Sequence, residues 1–322
     1  MRNYEFTGDT LTIDNTTYHR IRATRDLPTH NIRKGTLGGW IEHSVKILGN
    51  AWVGENSRVN GYSVITDNAS VTDYATVTDT FLSGNATIQH NANVIGATIT
   101  DNAMISGSAI VTEATISGIT LIYGNAIISG NTIISGNPMI FGNAYITTYK
   151  ENIIHGNVVI SGHARINTET GYFNGDITIT DNAMIWGHPH ITGNATISGH
   201  ANLEDHTRIT DNDSLEEHVH ITDNASLEGN IHVQGNAHIG QYARITGHAT
   251  IGQHARISGH ATIVGTQQEN NHTTIHGNAT IKGNTTVTAY INISGKTTLD
   301  GDTYINTPTT LTGNDYYLDE KI

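Results

Sequence analysis

A chain of 322 residues with 14% charged residues, 6% aromatic residues, 34 glycines and 4 prolines is not built from helices. Ordinary helix-rich soluble domains carry about 25% charged residues. The absence of cysteine excludes disulfides, thiol catalysis and Cys-type zinc sites, and a net charge of −13 disfavours a nucleic-acid polymer or an anionic membrane as partner.

The chain opens on MRNYEFTGDT, which has no apolar core and does not read as a signal peptide. No apolar run approaches the roughly 18 residues of a membrane helix, so a cytoplasmic protein is expected. Charge is uneven. Residues 1–46 hold seven Lys and Arg against five acids, whereas 47–322 hold nine against 24. Residues 1–47 are predicted to form an N-terminal β cap, with short strands around Asp14-Asn15. Phe6, Leu11, Ile13, Tyr18, Ile21, Leu37, Trp40 and Ile41 are available as its apolar plug. Arg20, Arg22, Arg25, Arg33 and Lys34, with Trp40 nearby, make the one basic cluster of an acidic chain. Arg beside aromatic groups suits a phosphate or nucleotide-like ligand, so Arg20, Arg22, Arg33, Lys34 and Trp40 are candidate ligand-binding residues.

From residue 48 onward the sequence repeats every six residues: an aliphatic residue, any residue, Gly or Asp, Asn or His, Ala, any residue. Counting by six from Ile179 to Leu311 meets an aliphatic residue at 22 of 23 positions, Glu269 being the exception. The same unit fills the first half with slips near 78–87, 95–98, 112–115, 147–153 and 167–178, each marking a corner that is tightened or looped out. Six fits neither a helix nor a plain strand. It fits a short strand followed by a bend, three times per coil, with the aliphatic residue inward and its neighbours outward. Gly, Asp, Asn and His at the bend tolerate positive φ best. Residues 48–313 are therefore predicted to form an all-β, single-stranded triangular β-solenoid of about 15 coils, about 18 residues each. Residues 314–322 form a C-terminal cap or tail, in which Tyr316, Tyr317 and Leu318 are available to cover the last coil.

The unit resembles the hexapeptide repeat of left-handed β-helix proteins, in which an aliphatic residue is followed four positions on by a small one, as in Ile245-Thr-Gly-His-Ala249. The resemblance implies left-handed coiling. A second resemblance lies in residues 18–53. Arg20-Ile21-Arg22-Ala23 and Lys34-Gly35-Thr36-Leu37-Gly38-Gly39-Trp40-Ile41-Glu42 are similar to the YRIRA strand and KGxLGGWIE stretch of a family of phage and prophage proteins with GNAxVxG repeats. That likeness implies a phage or prophage origin, and with it the cytoplasm of an infected or lysogenic bacterial host. It brings no catalytic residues.

Nine of the 19 histidines stand where other repeats have Asn: His163, His188, His200, His206, His218, His248, His254, His260 and His272. Exchange with Asn is what a turn-forming role predicts. His188 with His206, His200 with His218 and His254 with His272 are equally spaced, one coil apart by the count, and are expected to stack. Outward Thr pairs such as Thr178 and Thr180 decay to Ser214 and Glu216, which argues against an ice-binding face. Enzymes with the hexapeptide repeat imply an alternative, an acyltransferase-like activity. For it the 264–274 insertion offers Glu269 and His272 as a base pair, and both are also candidate ligand-binding residues. The reading that these features favour is a non-enzymatic binding protein without metal or cofactor. Its partner is either a small nucleotide-like ligand, such as a nucleotide-derived host immune signal that it sequesters, or a host protein for which it is a scaffold. A homo-oligomer is expected.

Overall fold

The computed structural model describes residues 2–265 and 272–322, in two compact units, Met1–Asn157 and Val158–Ile322. Glu269 lies outside the described residues. The only helix among the described residues is a single 3₁₀ turn, Pro28–His30. Among the described residues no helix is long and apolar enough to cross a membrane. Each unit is a β-solenoid of short parallel strands, most of them two or three residues long, stacked coil upon coil.

The inward aliphatic residues set the register. In the first unit Val53, Val59, Ile65, Val71, Val77, Leu82, Ile88, Val94 and Ile99 are all fully buried. A regular coil places Trp52–Val53 on Ser70–Val71, three repeats of six along the chain. Where the sequence slips, the coil changes length. Phe81 pairs with Val64 below and Thr98 above, a shorter step in both directions, because Leu82 arrives one position early after Val77 and Ile99 one position early after Val94. Leu82 is thus a core residue that counting by six passes over. The 147–153 slip is the opposite case, an enlarged coil in which Ile134 pairs with Ile154. In the second unit the slip at 167–178 adds a single position, so that Arg165 pairs with Met184. Phe173, fully buried, fills the core position that this slip hid. The 264–274 insertion makes the longest step, from Ala249 to Thr273.

The corners divide two tasks between two residues. Positive φ falls on the first residue of each corner pair, as at Asp67 (59°), Gly84 (71°), Asp101 (62°), Asp181 (60°) and Gly199 (69°). It does not fall on the Asn or His that follows, contrary to the expectation that all four residue types serve the bend. The second residue instead builds a ladder up the corner. Asn50 donates to Asn68, Asn68 to Asn85 and Asn85 to Asn102, at 3.0–3.1 Å. One coil apart, like side chains lie above one another at the spacing of a parallel sheet, and an amide can be donor below and acceptor above.

The N-terminal cap is three strands. β1 (Tyr4–Ile13) and β2 (Thr16–Ala23) form an antiparallel hairpin. Its turn residues Asp14 and Asn15 both have positive φ (47° and 65°), the geometry whose twist suits a two-residue hairpin. β3 (Leu37–Ile41) pairs antiparallel with β2 on one side and parallel with Arg58–Asn60 on the other, so it converts the hairpin into the first rung of the solenoid. The two glycines of Leu37-Gly38-Gly39-Trp40 answer a packing demand. A Cβ on Gly38 would stand 2.6 Å from the Val53 carbonyl oxygen, and one on Gly39 would stand 2.8 Å from that of Ser57. Ile21, Leu27, Ile41 and Trp52 form the buried floor, whereas Leu37 is 52% exposed. At the other end Tyr316–Leu318 continues the coil, pairing parallel with Thr298–Asp300, and Tyr316 and Leu318 remain half exposed instead of covering it.

Among the described residues one inward corner position carries an acid, where most others carry Ala, Ser, Thr or an aliphatic residue. Asp213 stands where neighbouring coils have Ala195 and Ile231, and it is buried. Its Oδ1 accepts the Ile231 N–H at 2.9 Å, and its Oδ2 has no partner. Burial, against that hydrogen bond, pushes the carboxyl up to about 7 from 3.8. The protonated form is therefore the one the fold favours. Stability from this group is complete below pH 3.8 and is lost as pH rises through about 7. Asp213→Asn, neutral at every pH, is expected to melt like the parent at pH 4 and to exceed it at pH 8 by up to about 4 kcal/mol. Parallel stability profiles across that range would contradict the buried, strained carboxyl. Ile245→Asp is expected to unfold the second unit, since Ile245 is fully buried and an unpaired buried carboxylate costs several kcal/mol, while Thr250→Asp on the outer face changes melting little.

Candidate functional site

The basic residues of the cap do not converge on one point. β2 presents Arg20 and Arg22 on alternate positions, with a register shift against β3 between them. Arg20 lies opposite Trp40, its guanidinium carbon 5.1 Å from the ring centroid, and its Nε is buried without a partner. The indole thus holds the charge in place by cation–π contact. Arg22 lies opposite Leu37 and reaches the other way, donating through Nε and Nη2 to Glu5 Oε1 of β1 at 3.0 and 2.8 Å. That pair is roughly half exposed on both sides, so it is a modest, salt-sensitive tether.

Between β2 and β3 the chain makes a closed loop. Leu27 and Ile32 exchange backbone hydrogen bonds at 2.8 and 3.2 Å around the Pro28–His30 turn. Asp26 accepts the Lys34 N–H at 2.7 Å, and Arg25 Nη2 donates to the Gly49 carbonyl and to Asn50 Oδ1, both at 2.9 Å. These bonds fix the loop to the first coil. They also bring Lys34 beside Arg22: the two line an open cleft of about 460 Å³ with Glu5, Thr24 and Gly35. Lys34 makes no side-chain ion pair among the described residues. Arg33 is exposed next to it, and neither Arg33, Arg20 nor Trp40 lines the cleft.

His272, the remaining candidate, is exposed in the second unit. The insertion before it lengthens the coil, so the His254 N–H donates to the Gly277 carbonyl and His254 lies one coil from Asn278, not from His272. The expected His254–His272 stack is absent for that reason. The other two stacks form, His188 on His206 with centroids 4.6 Å apart and 8° between planes, and His200 on His218 at 4.9 Å and 2°. Tyr242 stacks on His260 in the same manner, at 4.8 Å.

A different histidine pair escaped notice because it sits on an outward face and not at a corner. His220 and His238 meet edge to face with centroids 5.2 Å apart, and Glu204 Oε1 lies 3.3 Å from His220 Nε2. Burial first, then His220 and Arg256, hold His238 below the ordinary histidine range. Among the described residues no group of three or more His, Asp or Glu is arranged to hold a metal.

Residues 122–136 match the YdcK Beta solenoid repeat family. Both units are β-solenoids of hexapeptide-like repeats. No curated protein matches the sequence. Among solved structures, the chain is similar to a UDP-N-acetylglucosamine acyltransferase of Francisella novicida, with 21% identity over 64% of this chain and 62% of that one, TM-score 0.21. It is also similar to the UDP-N-acetylglucosamine O-acyltransferase LpxA of Moraxella catarrhalis, with 18% identity over 70% of this chain and 71% of that one, TM-score 0.23. The chain thus spans less than two thirds of the Francisella protein's length, and likeness at this level bears on neither activity nor substrate.

The corner columns predict their own tolerance. Asn194 donates to Asn212 at 2.8 Å in the column where other coils carry His, so either residue completes the ladder. Changing His188, His200, His206 and His218 together to Asn is expected to shift stability by no more than about 1 kcal/mol and to leave ligand binding intact. Loss of binding with the fold retained, or one zinc per chain in the purified parent, would assign these histidines a chemical role.

Proposed function

We propose that this is a non-enzymatic binding protein whose N-terminal cap takes a small anionic, nucleotide-like ligand. One observation carries the reading: Arg22 and Lys34 open onto the same cleft, and among the described residues the Lys34 ammonium has no carboxylate of its own. A phosphate there would gain a point charge from Lys34 and a forked donor from Arg22, whose present partner Glu5 it would displace or share. In a chain of net charge −13, this basic cap is the place where an anion meets least repulsion. The resemblance of residues 18–53 to phage proteins supplies the biological frame, the withdrawal of a nucleotide-derived immune signal inside a bacterial host.

Calorimetric titration with AMP and with a cyclic dinucleotide tests it. Binding is expected to weaken as salt rises, to fall at least about tenfold in Arg22→Ala/Lys34→Ala, and to tighten in Glu5→Gln, which frees Arg22. Absence of heat with both nucleotides, or an unchanged affinity in the double variant, would overturn the reading.

A further inference from the structure

The cap loop has a second side. Opposite the basic cleft and sharing no residue with it, a cleft of about 270 Å³ opens between the 27–37 loop and the first coils. Its apolar lining is one edge of the Trp52 indole with Ile32 and Leu37. Trp52 is otherwise buried, and its Cδ1–Nε1 edge is uncovered because residue 54 is glycine. A Cβ there would stand 3.1 Å from Nε1 and 3.2 Å from Cδ1. The residue after the inward aliphatic is commonly Thr or Ser elsewhere in the repeat, as at Thr66, Thr72 and Ser83, so Gly54 removes a side chain that its neighbours keep.

The polar lining is His30, Thr36, Glu55, Ser70 and Thr72, together with the Trp52 indole N–H. His30 lines the cleft with a buried Nε2 that has no partner. Burial holds this histidine below its ordinary value, so it is neutral at pH 7. Trp52 Nε1–H is a donor with no acceptor among the described residues. Glu55 stands at the mouth, with the Ser70 and Thr72 hydroxyls beside it.

We propose that this cleft is a binding site for an uncharged planar heterocycle of nucleobase type, which hydrogen-bonds His30 Nε2 and accepts from Trp52 Nε1–H. An apolar edge beside the unpartnered His30 Nε2 and the Trp52 N–H suits a ring that carries hydrogen-bonding groups on its rim. The volume falls just under the roughly 300–1,000 Å³ of drug-sized sites, which suits a single ring system without sugar and phosphate. Glu55 repels an anion, which separates this site from the basic cleft on the other side of the loop.

The test is calorimetry on the full chain with free adenine, free cytosine and inorganic phosphate as separate probes. At least one base is expected to bind the parent, and Gly54→Val and His30→Phe are each expected to weaken it at least about tenfold while circular dichroism and melting stay unchanged. Arg22→Ala/Lys34→Ala is expected to leave base binding as it was. If Gly54→Val melts early, His30→Phe, half-buried at the tip of the cap loop, decides the matter. No binding of either base to the parent, or parental affinity in a folded His30→Phe, overturns the proposal. Phosphate binding that depends on Arg22 and Lys34, without base binding, would reject this site and leave the basic cleft standing.

Discussion

Every feature of this protein depends on the fact that no single coil can bury its own aliphatic residues. Each turn contributes three inward side chains, and these leave water only against the turns before and after. The parallel ladder and the aliphatic column must therefore stay in step. Coils differ in length, yet in each the inward positions remain stacked. Leu82 meets Ile99 across a short coil, Val53 meets Val71 across a regular one, and Ile134 meets Ile154 across a long one. Ile251 meets Ile275 across the longest, in the second unit. The extra or missing residues are absorbed at corners, where the backbone is not committed to the ladder. Length is negotiable and register is not, because a one-residue slip would turn the whole core outward.

The corners show the second constraint. A sharp bend repeated at each coil needs positive φ, taken by Gly or by Asp, Glu, Gln or His, and at many of the Gly bends the adjacent coil lies where a Cβ would stand. A Cβ on Gly199 would stand 2.6 Å from the Glu217 nitrogen, and one on Gly84 would stand 2.6 Å from the Asp101 oxygen. The residue after the bend is free of both demands and can be chosen for what it does one coil up. Asn makes an amide ladder, and His or Tyr makes a ring stack. That division explains why His and Asn interchange through the sequence: they satisfy the same vertical contact by different means.

The solenoid was legible because its signal is periodic and redundant, and single residues hardly matter to it. What stayed hidden was whatever the period does not encode. Leu82 and Phe173 lie off the six-residue count, although both complete the core, because the count cannot tell which corner lost or gained a residue. Trp52 reads as one more outward residue beside Val53, and only the arrival of β3 above it makes it 2% exposed. The double glycine of the cap could be recognised by resemblance, but its reason is the Val53 and Ser57 carbonyls beneath it. Of the candidate site, the clustering of Arg22 with Lys34 follows from the loop that Asp26 and Arg25 tie down, which no spacing announces. Arg20 and Arg22 share a face of β2, but the register shift against β3 between them sets Arg20 on Trp40 and leaves Arg22 to Glu5, while Arg33 sits out on the loop.

The cap is where a solenoid of this kind can acquire a concave site. Within the repeat most strands are two or three residues long, and their outward side chains are mainly Thr, Ser, Asn and His on nearly flat faces, which offer a small molecule little to enclose it. The cap has to solve a different problem. It must end the parallel ladder with an antiparallel hairpin, and β3 can join the two only if the chain between β2 and β3 leaves the sheet and returns. The loop from Thr24 to Thr36 is that excursion, closed at its base by Ala23 with Gly35 and Thr36, at its tip by Leu27 with Ile32, and tied to the first coil by Arg25. A loop held clear of a flat wall leaves a cleft on each side. One side takes its character from Arg22 and Lys34, the other from Trp52 and His30. The demand that makes the fold possible, capping an open stack, is thus the same demand that gives it somewhere to bind.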